Sequence, residues 1–186
     1  MFMFEYTRED GEKLLKLVRQ SIKQEFDKEI KLDELKENLK EKQFRQARGV
    51  FVTLTERGEL RGCIGLPYPT KSLREAVIEA AKSAGFSDPR FPPLSRDELE
   101  KIKIEISILT TPQEASVKDI KVGQDGLICN YLGYGGLLLP QVASEYKWSK
   151  LQFLENLCRK AGIPKDAWQD KNFKLWKFQA QIFSEQ

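Results

Sequence analysis

The stretch Gly49-Val-Phe-Val-Thr-Leu-Thr-Glu-Arg-Gly-Glu-Leu-Arg-Gly-Cys-Ile-Gly-Leu66 decides how this chain is read. A β-branched run from Val50 to Thr55 is followed by the turn Glu56-Arg57-Gly58-Glu59, whose glycine suits a backbone position with positive φ. Residues 60–66 return as a second strand, and Pro67 and Pro69 stop it. A hairpin at the front of the chain argues for antiparallel pairing rather than a doubly wound parallel sheet.

Working outward, Thr7 caps a helix expected over about residues 8–26, with Glu9, Asp10 and Glu12 at its positive end and an apolar stripe of Leu14, Leu17, Val18 and Ile22. A charged segment near 33–42, with Leu32, Leu35 and Leu39 at helical spacing but thin in apolar residues, is expected as helix or in part loop. Ser72-Leu-Arg-Glu75 is a capping box that opens a helix over about 73–84 with a small-residue face of Ala76, Ala80 and Ala84. A second box, Ser95-Arg-Asp-Glu98, precedes a short helix, after which Ile102, Ile104, Ile106 and Ile108 alternate as a half-buried strand. Residues 126–131 and 136–139 pair around Leu132-Gly-Tyr-Gly135, and Pro140 starts a helical turn. Ser149-Lys-Leu-Gln152 opens a helix to about 161, closed by Gly162 and Pro164. One last strand is expected over about 173–183. Interspersed helices and hairpins give an α+β class: mainly antiparallel sheet with flanking helices.

The chain has 186 residues and no histidine. That absence excludes a Ser-His-Asp triad, a Cys-His dyad and a histidine-ligated zinc site within the chain. Any proton transfer must use Asp, Glu, Lys, Tyr or Cys. No metal site and no cofactor is expected. The three cysteines, Cys63, Cys129 and Cys158, form neither a CxxC motif nor an even framework, which fits a reducing cytoplasm. No apolar run reaches the roughly 18 residues of a membrane helix, and the N-terminal Met-Phe-Met-Phe-Glu-Tyr lacks the features of a signal peptide. Net charge is +3, and only the C-terminal quarter is basic, with 8 basic and 5 acidic residues over 144–186. Strong nucleic-acid binding is therefore not expected, because such binders cluster their cations.

Three segments can carry chemistry. In an extended strand, Arg61 and Cys63 share a face about 7 Å apart, and Gly62 and Gly65 let a ligand or another chain segment approach. A guanidinium beside a thiol raises its thiolate fraction. Cys63 is thus a candidate nucleophile with Arg61, Gly62 and Gly65 as ligand contacts, or else a small core residue between glycines that permit tight packing. The stiff loop Asp88-Pro-Arg-Phe-Pro-Pro-Leu94 holds Asp88 and Arg90. Asp88 is a candidate catalytic carboxylate, or an orienting partner for Arg61 or Arg90, and Arg90 a candidate ligand contact. The glycine-rich run from Leu132 to Gly136 is no dinucleotide fingerprint, because it leads into a strand rather than a helix. Gln141, just after Pro140, is its candidate ligand-facing polar group.

Taken together, these segments resemble the AMMECR family, named for the chromosomal region of Alport syndrome with midface hypoplasia and elliptocytosis. The resemblance rests on Gly49–Leu54, Leu60-Arg-Gly-Cys-Ile-Gly65, Asp88–Leu94, Ile106–Pro112, Gly123–Gly126, Leu139–Val142, Glu145, Trp148, Phe153-Leu154 and Cys158–Gly162, and covers about residues 10–183. Residues 28–46 match least. The resemblance implies one AMMECR-type domain over 1–186, with an α+β fold in two unequal lobes. It implies no particular reaction. It does imply possible company, since relatives can be encoded beside a radical-SAM protein and a dioxygenase-like protein, as for a modification pathway. The function expected is an enzyme or enzyme component with a ligand groove at the Arg-Gly-Cys-Ile-Gly strand; the alternative is an adaptor for protein or nucleic acid with a purely structural cysteine.

Overall fold

The structure, a computed structural model, describes residues 6–186. Residues 1–5, most of the stretch weighed above as a signal peptide, lie outside the described residues. The chain forms two compact units, one of residues 1–109 and 181–186 and the other of residues 110–180.

The first unit begins with α1 (Arg8–Phe26). Its capping box is reciprocal: the Thr7 hydroxyl accepts the Asp10 N–H at 3.2 Å, and the Asp10 carboxylate accepts the Thr7 N–H at 2.9 Å. The apolar stripe Leu14, Leu17, Val18 and Ile22 is buried, as the helical spacing requires. The segment at 33–42 is in part loop: α2 (Asp33–Glu37) is followed by a turn holding the buried Leu39 and then by α3 (Lys42–Arg45). Three leucines are too few to bury one face of a continuous helix: Leu35 of α2 is only partly buried against the core, and α3 buries Phe44.

β1 (Gly49–Glu56) and β2 (Glu59–Leu66) pair antiparallel around Arg57-Gly58, both at positive φ, the turn whose twist suits a two-residue hairpin. α4 (Leu73–Phe86) packs Ala76, Ala80 and Ala84 inward, against the buried Val50, Val52 and Leu54 of β1. β3 (Ile102–Leu109) completes the pairing of β1, with Ile102, Ile104, Ile106 and Ile108 on the core side. Four buried isoleucines on one strand contribute about 1.5–3 kcal/mol each, which anchors this sheet.

The second unit carries β4 (Gln113–Glu114), β5 (Gly126–Tyr131), β6 (Tyr134–Leu138), α5 (Pro140–Glu145), α6 (Lys150–Lys160) and β7 (Lys174–Phe178). The β5–β6 turn is the tight pair Leu132-Gly133 rather than the four residues expected, so β6 starts two residues early. α6 has the cap read from sequence: the Ser149 N–H donates to Gln152 at 2.9 Å and the Ser149 hydroxyl accepts the Gln152 N–H at 3.3 Å. Phe153, Leu154, Leu157 and Cys158 face its core.

The single last strand expected over 173–183 is two strands in different sheets. β7 belongs to the sheet β4-β7-β5-β6, and β8 (Ala180–Ser184) to the sheet β2-β1-β3-β8. They part at Gln179, whose N–H donates to the Thr110 hydroxyl and whose carbonyl accepts the Thr110 N–H, each at 2.9 Å. Alternation runs straight through that junction, which is why periodicity alone shows no break.

Candidate functional site

The site is built on β2, an edge strand of the first sheet. Thr53 of β1 stands opposite Cys63, and its hydroxyl donates to Cys63 Sγ at 3.4 Å. On the open edge, the Cys63 N–H donates to Asp88 Oδ2 at 2.9 Å and the Cys63 carbonyl accepts Arg90 Nη2 at 3.1 Å. One residue's donor and acceptor are thus satisfied by a carboxylate and a guanidinium, the pair a neighbouring strand would otherwise supply. The loop after α4 blunts the edge of β2 with side chains.

Asp88 is the pivot. It is 4% exposed, and it also accepts the Arg90 N–H at 3.1 Å, Arg90 Nε at 2.9 Å and Arg90 Nη2 at 2.7 Å. The Arg90 guanidinium, followed by the Cys63 and Arg90 N–H groups, holds the Asp88 carboxyl well below the usual carboxylate range. Asp88 is therefore held as a carboxylate in the neutral range, anchored between the Cys63 main chain and Arg90. The orienting role fits: its partner is Arg90, not Arg61.

Arg61 goes elsewhere. The register shifts between Leu54 and Thr55, so that Gly62 opposes Leu54, Leu60 opposes Thr55 and Arg61 opposes no residue of β1. This β-bulge interrupts the regular pairing of β2 at Arg61. The Arg61 guanidinium instead forks onto Glu98, with Nε to Oε1 at 2.6 Å and Nη2 to Oε2 at 3.2 Å. Glu98 is held down to about 2 by that guanidinium first, and by Ser95 next. Phe91 sits between the two cations, 6.0 Å from the Arg61 guanidinium carbon and 5.5 Å from that of Arg90. Among the described residues, Arg61 Nη1 is buried without a hydrogen-bond partner.

The two glycines meet the chain itself. A Cβ at Gly62 would run into the Ala84 carbonyl oxygen of α4, and one at Gly65 would run into the Phe51 ring. Both close approaches foreseen at these positions are made from within. Gln141 is a residue of the second unit, in the first turn of α5 and half-buried. Cys63, Asp88 and Arg90 are thus directly joined, and Arg61 reaches them by way of Phe91. Sequence reading missed Thr53 and Glu98. Glu98 was visible only as the last residue of a capping box, a role it also fills, since it accepts the Ser95 N–H at 2.7 Å.

Chemically the cluster is two carboxylates bound to two guanidiniums around an aromatic ring, with one half-exposed thiol beside them. Cys129 and Cys158 are buried in the second unit, and burial pushes the Cys129 thiol up to about 11 and raises that of Cys158. Among the described residues no group of three or more His, Cys, Asp or Glu side chains assembles as a metal-holding cluster, and no helix is long and apolar enough to cross a membrane.

An α+β chain of two antiparallel sheets with flanking helices is a fold that known proteins share. The family model AMMECR1 matches residues 15–183. A protein of Methanothermobacter thermautotrophicus is 46% identical over 96% of this chain and 96% of its own length. One of Thermococcus kodakarensis is 40% identical over 99% of this chain and 94% of its own. The crystal structure of an uncharacterized protein from Pyrococcus horikoshii superposes with a TM-score of 0.91 at 39% identity, covering 98% of this chain and 95% of that one. The chain belongs to the AMMECR1 family.

Proposed function

We propose that the chain is an enzyme or enzyme component whose ligand meets it at the Cys63 strand, as a step in a cytoplasmic modification pathway. Cys63 is the reacting thiol, and the half-exposed Arg90 is the polar wall beside it. Asp88 positions both. The observation that carries this reading is the contrast among the cysteines: Cys129 and Cys158 are sealed in a core, whereas Cys63 is half-buried and has its main-chain N–H and C=O both held by the Asp88–Arg90 ion pair. Two ordered side chains on one residue's backbone fix where the thiol stands, which is what a reacting group needs. The proton that leaves the thiol goes to the substrate or to a partner chain, since no histidine exists here and Asp88 and Glu98 are bound to arginines. A second reading, an adaptor for another protein, is favoured by the exposed, uncharged tip of the β5–β6 hairpin.

Alkylation with iodoacetamide of the folded protein, read by peptide mass spectrometry, tests the reading. Cys63 is labelled first and alone, with Cys129 and Cys158 labelled only after unfolding. Labelling of Cys63 only after unfolding would remove the thiol from any reaction and leave the adaptor reading.

A further inference from the structure

Sheet edges invite other chains to pair, and proteins blunt them with charges, bulges, prolines or short strands. Two edges here follow that rule. β4 is 2 residues long and carries Glu114. β2 carries Glu59 and a bulge at Arg61, and Asp88 and Arg90 occupy the backbone of Cys63.

β6, the other edge of the second sheet, does not. Its residues, Tyr134-Gly-Gly-Leu-Leu138, include no charge and no proline, and its register with β5 runs without a shift from Tyr131–Tyr134 to Leu127–Leu138. It lies in a run of 19 residues, 126–144, with no charged side chain, in a chain that is 32% charged. At that density about six charges would be expected there, so the run is not incidental. The tip of the hairpin exposes Leu132 by 67% and Tyr134 by 61%. Leu132 stands at φ 51°, a region a bulky side chain enters only under strain.

The edge is also open. A two-residue turn makes Tyr131 and Tyr134 a hydrogen-bonded pair, so alternation turns the N–H and C=O of Gly135 and Leu137 away from β5. Among the described residues, no element outside the sheet bonds these groups.

We propose that the outward edge of β6 is a docking site for an extended segment of a partner protein, uncharged at its centre and acidic at its flanks, that adds to the sheet as a fifth strand. A second copy of this chain fits poorly. A Cβ at Gly136 would lie 2.9 Å from Ala161 Cβ and 3.0 Å from the Leu157 carbonyl, so α6 lies directly over β6. Antiparallel pairing of two β6 strands about 4.8 Å apart would bring their α6 helices well inside the 8–10 Å or so that packed helices need. A lone extended segment brings no helix. The acidic flanks follow from the exposed Arg159 and Lys160, within a turn of the Leu157–Ala161 contact, and from the 10 basic against 7 acidic residues over 110–180. Main-chain pairing gives such a site affinity for any segment of this pattern, and the pleat allows side chains on alternate positions to add preference.

The probe is a fluorescein-labelled peptide, Asp-Glu-Thr-Val-Thr-Val-Thr-Glu-Asp, titrated with the full chain by fluorescence anisotropy, with amide exchange measured alongside. The expected result is saturable binding below about 1 mM, slower exchange of the Gly135 and Leu137 amides by at least about tenfold on binding, and weaker binding by about tenfold when the four acidic residues become lysine. Gly135→Pro removes an outward N–H without touching the β5 ladder, and a Cβ there meets only the Cys129 carbonyl at an ordinary 3.5 Å, so the variant keeps its fold and loses the peptide. Gly135→Glu, which keeps the N–H and adds an edge charge that repels the acidic peptide, does the same and guards against misfolding of the proline variant. Failure of the wild-type chain to bind the peptide at 1 mM or so overturns the proposal, as does binding that both variants retain. A dimer in sedimentation that Gly135→Pro dissolves overturns it in favour of self-pairing.

Discussion

Replacing Asp88 by Asn tests whether the clamp on Cys63 is what orders the strand. The carboxylate accepts four hydrogen bonds, at 2.9 Å from Cys63 N and at 3.1, 2.9 and 2.7 Å from Arg90 N, Nε and Nη2. Asparagine keeps one acceptor oxygen and turns an NH₂ group toward a donor, so at least one N–H loses its partner in a buried place. Hydrogen bonds to an ionised group contribute about 1.5–3 kcal/mol each, and the half-exposed Arg90 recovers part of its loss to water. The net loss expected at neutral pH is about 2–3 kcal/mol. The sign of the pH dependence follows from the depressed carboxyl of Asp88. Its contribution is whole above the ordinary value near 3.9 and fades as pH falls toward the folded value; by pH 3 about 1.3 kcal/mol of it has gone, because the unfolded carboxyl is by then mostly protonated. The stability gap between wild type and variant should therefore narrow by about that amount from pH 7 to pH 3. All three tryptophans lie in the second unit, away from the substituted residue in sequence and unit. Urea unfolding followed by far-UV circular dichroism, with exchange of the Cys63 amide, reads the first unit. A loss below about 0.5 kcal/mol, or a gap that is the same at both pH values, would refute the clamp.

Glu98→Gln leaves the 12%-exposed Arg61 side chain facing a neutral amide and should lose about 2 kcal/mol at pH 7 by the same urea assay, with the deficit shrinking as pH falls from about 4.5 toward 2. Gly62→Ala drives a methyl into the Ala84 carbonyl, a backbone atom that cannot swing aside, and should lose about 1–3 kcal/mol; a neutral result would mean α4 can shift. Leu132→Asn completes an Asn-Gly turn at the β5–β6 tip and should gain about 0.5–1 kcal/mol, measured by tryptophan fluorescence of the second unit. A stability loss there would mean that leucine packs in the turn.

Most of the fold was legible because local signals stood alone. α1 runs over the residues its cap and stripe announced, and the hairpin at 49–66 begins and ends as its turn and prolines require. What was not legible depended on neighbours distant in sequence. Nothing between Trp176 and Ile182 reveals that the chain changes sheets at Gln179, because the partner that marks the change is Thr110. The site shows the same division. Asp88, Arg90 and Cys63 could be nominated from residue type and loop stiffness, but the pairing of Arg61 with Glu98 could not, since a single bulged residue redirects the guanidinium and bulges leave no pattern in one strand read by itself. The glycines were read correctly as points of close approach and incompletely as to what approaches.

The missing histidine takes its meaning from these pairings. A thiol without an imidazole can be helped by a free cation, and from spacing Arg61 looked like one. Arg61 is matched by Glu98 and Arg90 by Asp88, so the four charges around Phe91 sum to zero and the cluster presents no unbalanced positive field. Three of the four side chains in these ion pairs are largely buried, Arg61 at 12%, Glu98 at 19% and Asp88 at 2% exposed, while Arg90 is 51% exposed. Their common effect is geometric: they fix the Cys63 main chain and leave its side chain half-exposed. A reaction at Cys63 would then draw its selectivity from where the sulfur is held, and its proton acceptor from whatever binds. That is consistent with a component that acts only when a second molecule is in place, and it makes the thiol-labelling rate, with and without a cell extract depleted of small thiols, the measurement that separates a self-sufficient nucleophile from one completed by a partner.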